Sequence, residues 1–189
     1  YQPTIGAYED NLLFSAKLFL QGAYSASLGR HKNVTPAWAA VLNAHATIQP
    51  YGPIYGYTGL DSVPAGFFTD TGTTSDIIDW VLLELRSPAN PATVINQRAA
   101  LIREDGLIVD TDGVSPVAFK GAQAGNYLVS IRHRNHLGIR TSVVQSLNGT
   151  MAAPVVYDFT TAQSSAYQDP LVLSSPPPNN NNAMLALPG

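Results

Sequence analysis

The clearest pattern in the chain is an alternation of apolar and polar residues with a period of two. It predicts a first strand over residues 12–21 and a second, stronger one over residues 77–86. The apolar face of the second strand consists of Val81, Leu83 and Leu85. Glu84 and Arg86 have the opposite parity, so we expect them to face solvent.

The same pattern, with turn residues between the runs, predicts further short strands along the chain. They cover residues 93–103, 107–109, 117–119, 127–133, 141–147 and 154–159. One short helix is expected to begin at Pro36, with Thr35 as its cap. Residues 49–74, rich in Gly, Pro and Tyr, predict a long decorated loop. The expected fold is an all-β sandwich, immunoglobulin-like or transthyretin-like, spanning residues 12–162.

The strand at residues 125–138 becomes unusually polar towards its end. Five consecutive polar residues stand there: Arg132, His133, Arg134, Asn135 and His136. Because unpaired burial of such groups costs several kcal/mol, we expect them to form a structural hydrogen-bonded cluster. Asp110 and Asp112 are the expected acids. On a continuous strand, His133 and His136 would point to opposite faces and make a poor metal pair.

Acidic residues gather in two neighbouring turns, at Glu104-Asp-Gly106 and at Asp110-Thr-Asp-Gly113. Asp-Gly is a frequent hairpin dipeptide, so plain turns are one interpretation. A calcium site formed by Asp105, Asp110 and Asp112 is the other, although an EF-hand loop would need a glutamate at its twelfth position. No other cofactor is indicated.

The amino-acid composition limits the kinds of partner that the chain can bind. Charged residues make up 12% of the 189 residues and the net charge is −3, so the chain has no basic surface for nucleic acid. No apolar run approaches the ~20 residues of a membrane span. There is no cysteine and no nucleophile or phosphate-binding motif, and we predict no enzymatic activity. Tyr1 is not an initiator methionine, so we expect a processed or truncated piece of a longer product.

The two ends differ from the predicted domain. Residues 1–11 predict an extended lead-in, and residues 163–189 a Pro/Asn-rich extended tail. We expect one or both to contact neighbouring copies of the chain. Tyrosines concentrated in the lead-in and the long loop suggest a sugar- or protein-binding surface, or side chains that cover the sheet edges. Asn148-Gly-Thr150 matches an N-glycosylation triplet, and Ser62 in Asp61-Ser-Val63 is a candidate O-glycan site.

Four blocks resemble a domain that recurs in large secreted and cell-surface proteins of Bacteroidota. The blocks are residues 17–22, 79–86, 105–117 and 125–138, and the resemblance covers roughly residues 14–162. It implies export by the type IX system and a haemagglutinin-like or adhesin-like context, without catalytic residues. We therefore expect a non-enzymatic extracellular module that self-associates into a cell-surface or filamentous assembly. The alternative is a monomeric adhesin module that binds carbohydrate or protein.

Overall fold

The computed structural model describes residues 11–32, 36–149 and 154–167, and it is an all-β sandwich with one short helix. The helix α1 spans Pro36–His45. The strands are β1 Leu12–Phe14, β2 Ala16–Lys17, β3 Tyr24–Ser25, β4 Arg30–His31, β5 Ile77–Arg86, β6 Val94–Arg103, β7 Leu107–Val109, β8 Val117–Phe119, β9 Gly125–His133, β10 His136–Arg140, β11 Gln145–Leu147 and β12 Tyr157–Asp158. The predicted fold class is confirmed.

The main sheet is built around β5, which pairs antiparallel with β6 on one side and with β9 on the other. The strand order is β10-β9-β5-β6-β7-β2-β12, and β11 joins β9 at one end. A second layer contains the antiparallel pair β1–β8. Among the strands of the described residues, β12 and β2 are the one parallel pair. The sheet therefore brings β5 and β9, which are far apart in sequence, into direct register.

Both faces of β5 are buried, each in a separate apolar cluster. Its odd-numbered residues from Val81 to Leu85 pack against β1, β2, β8 and β9. Trp80 and Leu82 lie on the other face, beneath the long connection between α1 and β5. That connection is held by Tyr51 and Phe68, which are both fully buried. It acts as a third layer, so the sheet has no solvent face at its centre.

The third layer corrects one prediction from the alternation. Glu84 was expected to face solvent, but it is fully buried. Alternation assigns a residue to a face, and it predicts exposure only when that face meets water. Here the long connection covers the face. Gln97 of β6 donates from Nε2 both to Glu84 and to the carbonyl oxygen of Tyr55, which belongs to that connection.

Several predicted boundaries also change. The first strand is broken at Ser15 into β1 and β2, which pair with different layers. The hairpin β3–β4 was not predicted. The fold continues past residue 162, because Ala166 is 2% exposed and forms a bridge with Thr141. Residues 1–10 of the predicted lead-in and residues 168–189 of the predicted tail lie outside the described residues.

The turn between β6 and β7 depends on Gly106. Its φ is +84°, and a Cβ there would lie 2.5 Å from the carbonyl oxygen of Leu18. The carbonyl oxygen of Gly106 also accepts a hydrogen bond from the Leu18 amide at 3.0 Å. The left-handed conformation and the close approach both require glycine.

We expect Gly106→Ala to lower the free energy of unfolding by more than about 2 kcal/mol, because it adds a backbone clash to the ~1–2 kcal/mol cost of a left-handed residue. Gly121→Ala is the matched control, since Gly121 has φ +70° but open space around its Cβ position. Chemical denaturation of both variants measures the difference. Equal losses would show that the clash with Leu18 is relieved.

Candidate functional site

The polar residues predicted to form a cluster lie at a hairpin. β9 ends at His133 and β10 begins at His136, so Arg134 and Asn135 form the turn. This corrects the expectation that the two histidines point to opposite faces, because the chain reverses between them. Their Nδ1 atoms are 2.8 Å apart and their ring centroids 4.7 Å apart.

The acid at the centre of this cluster is Asp79 on β5. Its carboxylate accepts two hydrogen bonds from Arg134, at 2.7 and 2.8 Å, and one from His133 Nε2 at 3.1 Å. Burial alone would raise the pKa of Asp79. The His133 hydrogen bond and the Arg134 charge outweigh burial and hold the pKa below its usual value.

These contacts assign a proton position to every ring nitrogen in the pair. His133 donates from Nε2 to Asp79, so its Nδ1 accepts from the Asn135 amide and from His136. His136 then accepts from the Gly22 amide through Nε2, at 3.3 Å. Burial and the nearby His133 lower the pKa of His136, which favours this neutral form. The arrangement leaves neither ring with a free nitrogen for a metal or a substrate.

The second acid of the cluster is Glu84. It is paired with Arg86, whose Nε lies 2.9 Å away, and with Arg132 at 3.4 Å. The Arg132 guanidinium also lies 5.1 Å from the ring centroid of Tyr55. Asp79 and Glu84 therefore replace the predicted acids Asp110 and Asp112, because β9 pairs with β5 and not with the acidic turns.

The three aspartates of the predicted calcium site have separate partners. Asp105 bonds Arg103 at 2.7 Å, Asp110 bonds Arg98 and the Ala118 amide, and Asp112 accepts from the Val114 and Ser115 amides. Among the described residues, no group of three His, Cys, Asp or Glu is placed to hold a metal ion. These contacts are those of ordinary turns, and a calcium cofactor stays an untested prediction.

Arg98 links the long segment between α1 and β5 to the acidic turns. Its guanidinium bonds Asp61 on one side and Asp110 on the other, and Asp61 also accepts from the Tyr57 hydroxyl. Asp61 therefore anchors its loop, whereas the neighbouring Ser62 side chain is exposed and accessible to modification. Asn148 is exposed as well, and Thr150 of its triplet lies outside the described residues.

An open groove of about 530 Å³ lies beside Arg98. Its polar lining is formed by Arg98, Asp110, Thr111, Asp112, Ser115 and Lys120. The apolar part of the lining includes Leu13 of β1 and Ala118 of β8. The groove therefore combines several hydrogen-bonding groups with apolar surface.

One group of exposed apolar side chains lies around three hydrogen-bonded residues, and we call it the valine surface. It consists of Val143, Val144, Val155, Val156 and Tyr167, which are between 42% and 94% exposed. Each lies within two residues of Ser142, Tyr157 or Ser165. Those three are joined by hydrogen bonds, including 2.6 Å from the Tyr157 hydroxyl to the Ser165 carbonyl oxygen. Large patches of exposed apolar side chains mark interaction sites in soluble proteins.

His31 was too isolated in sequence to interpret, and the structure gives it a definite role. It is fully buried, accepts from the Leu20 amide through Nε2 at 2.7 Å, and donates from Nδ1 to the Arg103 carbonyl at 2.9 Å. Burial lowers the pKa of His31 to about 4. The neutral ring thus links β4 to the segment after β2 and to the end of β6.

Comparison with known proteins identifies no relative. No protein family matches the chain, and neither a curated protein nor a solved structure does. The helix in the described part of the chain is too short to cross a membrane. The resemblance to secreted proteins of Bacteroidota stays a prediction.

We expect Arg134→Ala to lower the free energy of unfolding by roughly 1–3 kcal/mol, because it removes two charge-assisted bonds from a carboxylate that is 14% exposed. Lys120→Ala, at an exposed side chain, is the control and should change stability by less than about 0.5 kcal/mol. Urea unfolding of both variants measures the effect. An Arg134→Ala variant whose free energy of unfolding is unchanged would mean that His133 alone is a sufficient partner for Asp79.

We expect His31 to make stability depend on pH between about 4 and 6.5. Its folded pKa of about 4 lies below its ordinary value of 6.5, so the unfolded state binds the proton first as the pH falls. Stability is then complete above pH 6.5 and declines by about 3 kcal/mol as the pH falls to 4.

The control for this effect is His31→Gln, which keeps a donor and an acceptor but does not titrate. The difference in unfolding free energy between the two proteins should shrink as the pH falls through the window. Parallel pH profiles would contradict a buried neutral His31.

Proposed function

We propose that this chain is a non-enzymatic structural module of an extracellular, cell-surface or filamentous assembly, in which copies of the chain associate with one another. The observation that carries the proposal is the valine surface, whose five exposed apolar side chains lie in the segments before β11 and β12 and at Tyr167. A monomer has no evident use for such a surface, whereas burial between copies would remove it from water.

Low charge supports the same proposal. With 12% charged residues and a net charge of −3, copies of the chain repel one another only weakly. Residues 1–10 and the tail beyond Tyr167 are further candidates for contacts between copies. A surface rich in neutral polar side chains is also common among extracellular structural proteins.

The titratable groups of the hairpin cluster support a structural role. Asp79, His133 and His136 bond to one another and to the backbone, so their hydrogen-bonding capacity serves the fold. A catalytic base would instead need a nitrogen or an oxygen directed at a substrate.

A second candidate function is a monomeric adhesin module, and the groove beside Arg98 favours it. Hydroxyl, carboxylate and cationic groups line it, which suits the hydroxyl groups of a carbohydrate. Its lining contains no aromatic ring on which a sugar could stack, so the assembly role is better supported.

We expect Val155→Glu to lower the fraction of assembled protein, because it places a charge in the valine surface at a side chain that is 94% exposed. Ile54→Glu is the matched control, since Ile54 is 90% exposed but lies on the long connection. Light scattering and negative-stain microscopy across a concentration series measure assembly. Neither change should alter the melting temperature of the isolated subunit.

Two results would contradict the assembly role. One is a wild-type chain that stays monomeric at high concentration. The other is a Val155→Glu variant that assembles as well as Ile54→Glu and the wild type. Binding of the monomer to a glycan array would then favour the adhesin module.

A further inference from the structure

Residues 20–32 form a small unit beside the main sheet, which we call the side hairpin. It contains β3 and β4, which pair with each other as a separate two-stranded sheet. At its start, the Ala23 and Tyr24 amides both donate to the Leu20 carbonyl, at 3.0 and 2.9 Å. At its end, the Lys32 amide donates to the Ala23 carbonyl at 2.7 Å. The side hairpin therefore has internal hydrogen bonds of its own, and its attachment to the main sheet is a separate matter.

Two imidazole rings hold the start of the side hairpin. Nε2 of His31 accepts from the Leu20 amide at 2.7 Å, and Nε2 of His136 accepts from the Gly22 amide at 3.3 Å. His31 also donates from Nδ1 to the Arg103 carbonyl oxygen at 2.9 Å. Because His136 belongs to β10 and Arg103 to β6, the two rings join the side hairpin to two strands of the main sheet.

Both contacts require a neutral ring. A backbone N–H can only donate, and a ring nitrogen accepts only while it carries no proton. Once an imidazole gains its second proton, both of its nitrogens are donors. The N–H of Leu20 or Gly22 would then face another N–H, so protonation replaces each hydrogen bond by a contact between two donors.

The titratable groups around the rings favour the neutral, attached form. Burial is the main cause that lowers the pKa of His31 to about 4, with Asp105 opposing it and the nearby His136 and His133 adding to it. Burial also lowers the pKa of His136, with His133 adding to the effect and Asp79 opposing it. Each ring therefore takes up a proton more readily when it is released into water, and acid favours the detached form.

One ion pair of the side hairpin responds in the opposite direction. Nε of Arg30 lies 3.3 Å from the Glu104 carboxylate. Burial raises the pKa of Glu104, with Arg30 opposing this and Asp76 and Asp70 adding to it. A carboxyl group with a raised pKa binds its proton more tightly in the attached form, so Glu104 does not drive detachment. The effect of acid is therefore assigned to the two histidines.

We propose that the side hairpin is an acid-released element: protonation of His31 and His136 detaches it while the main sheet stays folded. Phe19, just before the side hairpin, is 5% exposed. Its ring centroid lies 5.2 Å from that of His31 and 4.8 Å from that of Tyr24. Detachment would uncover Phe19, so acid would add apolar surface to the folded protein. The inference goes beyond the proposed assembly and applies equally to a monomer.

Amide hydrogen exchange of the full-length chain, corrected for the intrinsic effect of pH, tests the release. The reference is the Leu83 amide, in a residue of β5 that is paired on both sides. Leu20 should exchange faster than Leu83, and its protection should fall by roughly tenfold or more from about pH 7 to about pH 5. Equal exchange of the two amides would overturn the proposal, because the side hairpin would then be freed by global unfolding alone.

Substitution of the histidines tests their role. In His31→Gln/His136→Gln each side chain keeps an acceptor that does not titrate, so the protection of Leu20 should be nearly independent of pH. His45→Gln is the matched control, because it removes the histidine at the end of α1 and should keep the wild-type response. A fall in protection as large in the double variant as in the wild type would overturn the proposal.

His136→Gln alone serves if the double variant fails to fold, since His136 is only half-buried. It should reduce the fall in Leu20 protection without removing it, because His31 still titrates. An unchanged fall would overturn the role of His136. Light scattering on the same samples reports assembly separately, so failure of this proposal is distinguishable from failure of the assembly role.

Discussion

The burial of β5 on both faces constrains the rest of the structure. A central strand with apolar layers on either side cannot leave a charge unpaired, since a lone buried carboxylate costs several kcal/mol or changes its protonation state. This strand carries two carboxylates, Asp79 and Glu84, and Glu84 is fully buried. Much of the polar architecture consists of the groups that neutralise them.

The hairpin between β9 and β10 supplies most of those groups. Arg132, His133 and Arg134 follow one another at the end of the strand that pairs with β5, so their side chains reach both acids. The polar end of β9 is thus explained by the two carboxylates of β5, the strand with which it pairs. The hairpin is held in one conformation by electrostatics, while the strands on either side of it are held by packing.

Much of the fold could be predicted from the alternation of residues, but the partners of the polar groups could not. The strands at Ile77–Arg86, Leu107–Val109 and Val117–Phe119 have the expected bounds, because their periodicity is strong and turn residues flank them. The pairing of Asp79 with His133 joins residues 54 positions apart, which no local pattern encodes. The burial of Glu84 depends on a covering layer without regular periodicity. The turn at Arg134–Asn135 lacks the glycine that usually signals a hairpin.

The long connection between α1 and β5 is attached to the sheet at a small number of points. The Tyr51 hydroxyl donates to the Trp80 carbonyl at 2.8 Å, and the Tyr57 hydroxyl accepts from the Ala99 amide at 3.1 Å. Between and beside these anchors, Ile54 and Leu60 are about nine-tenths exposed. Tyr51 and Tyr57 thus anchor the loop to the sheet, whereas Ile54 and Leu60 face solvent. Substitutions at the exposed positions would leave the anchors in place, so the surface of this layer can change without loss of the fold.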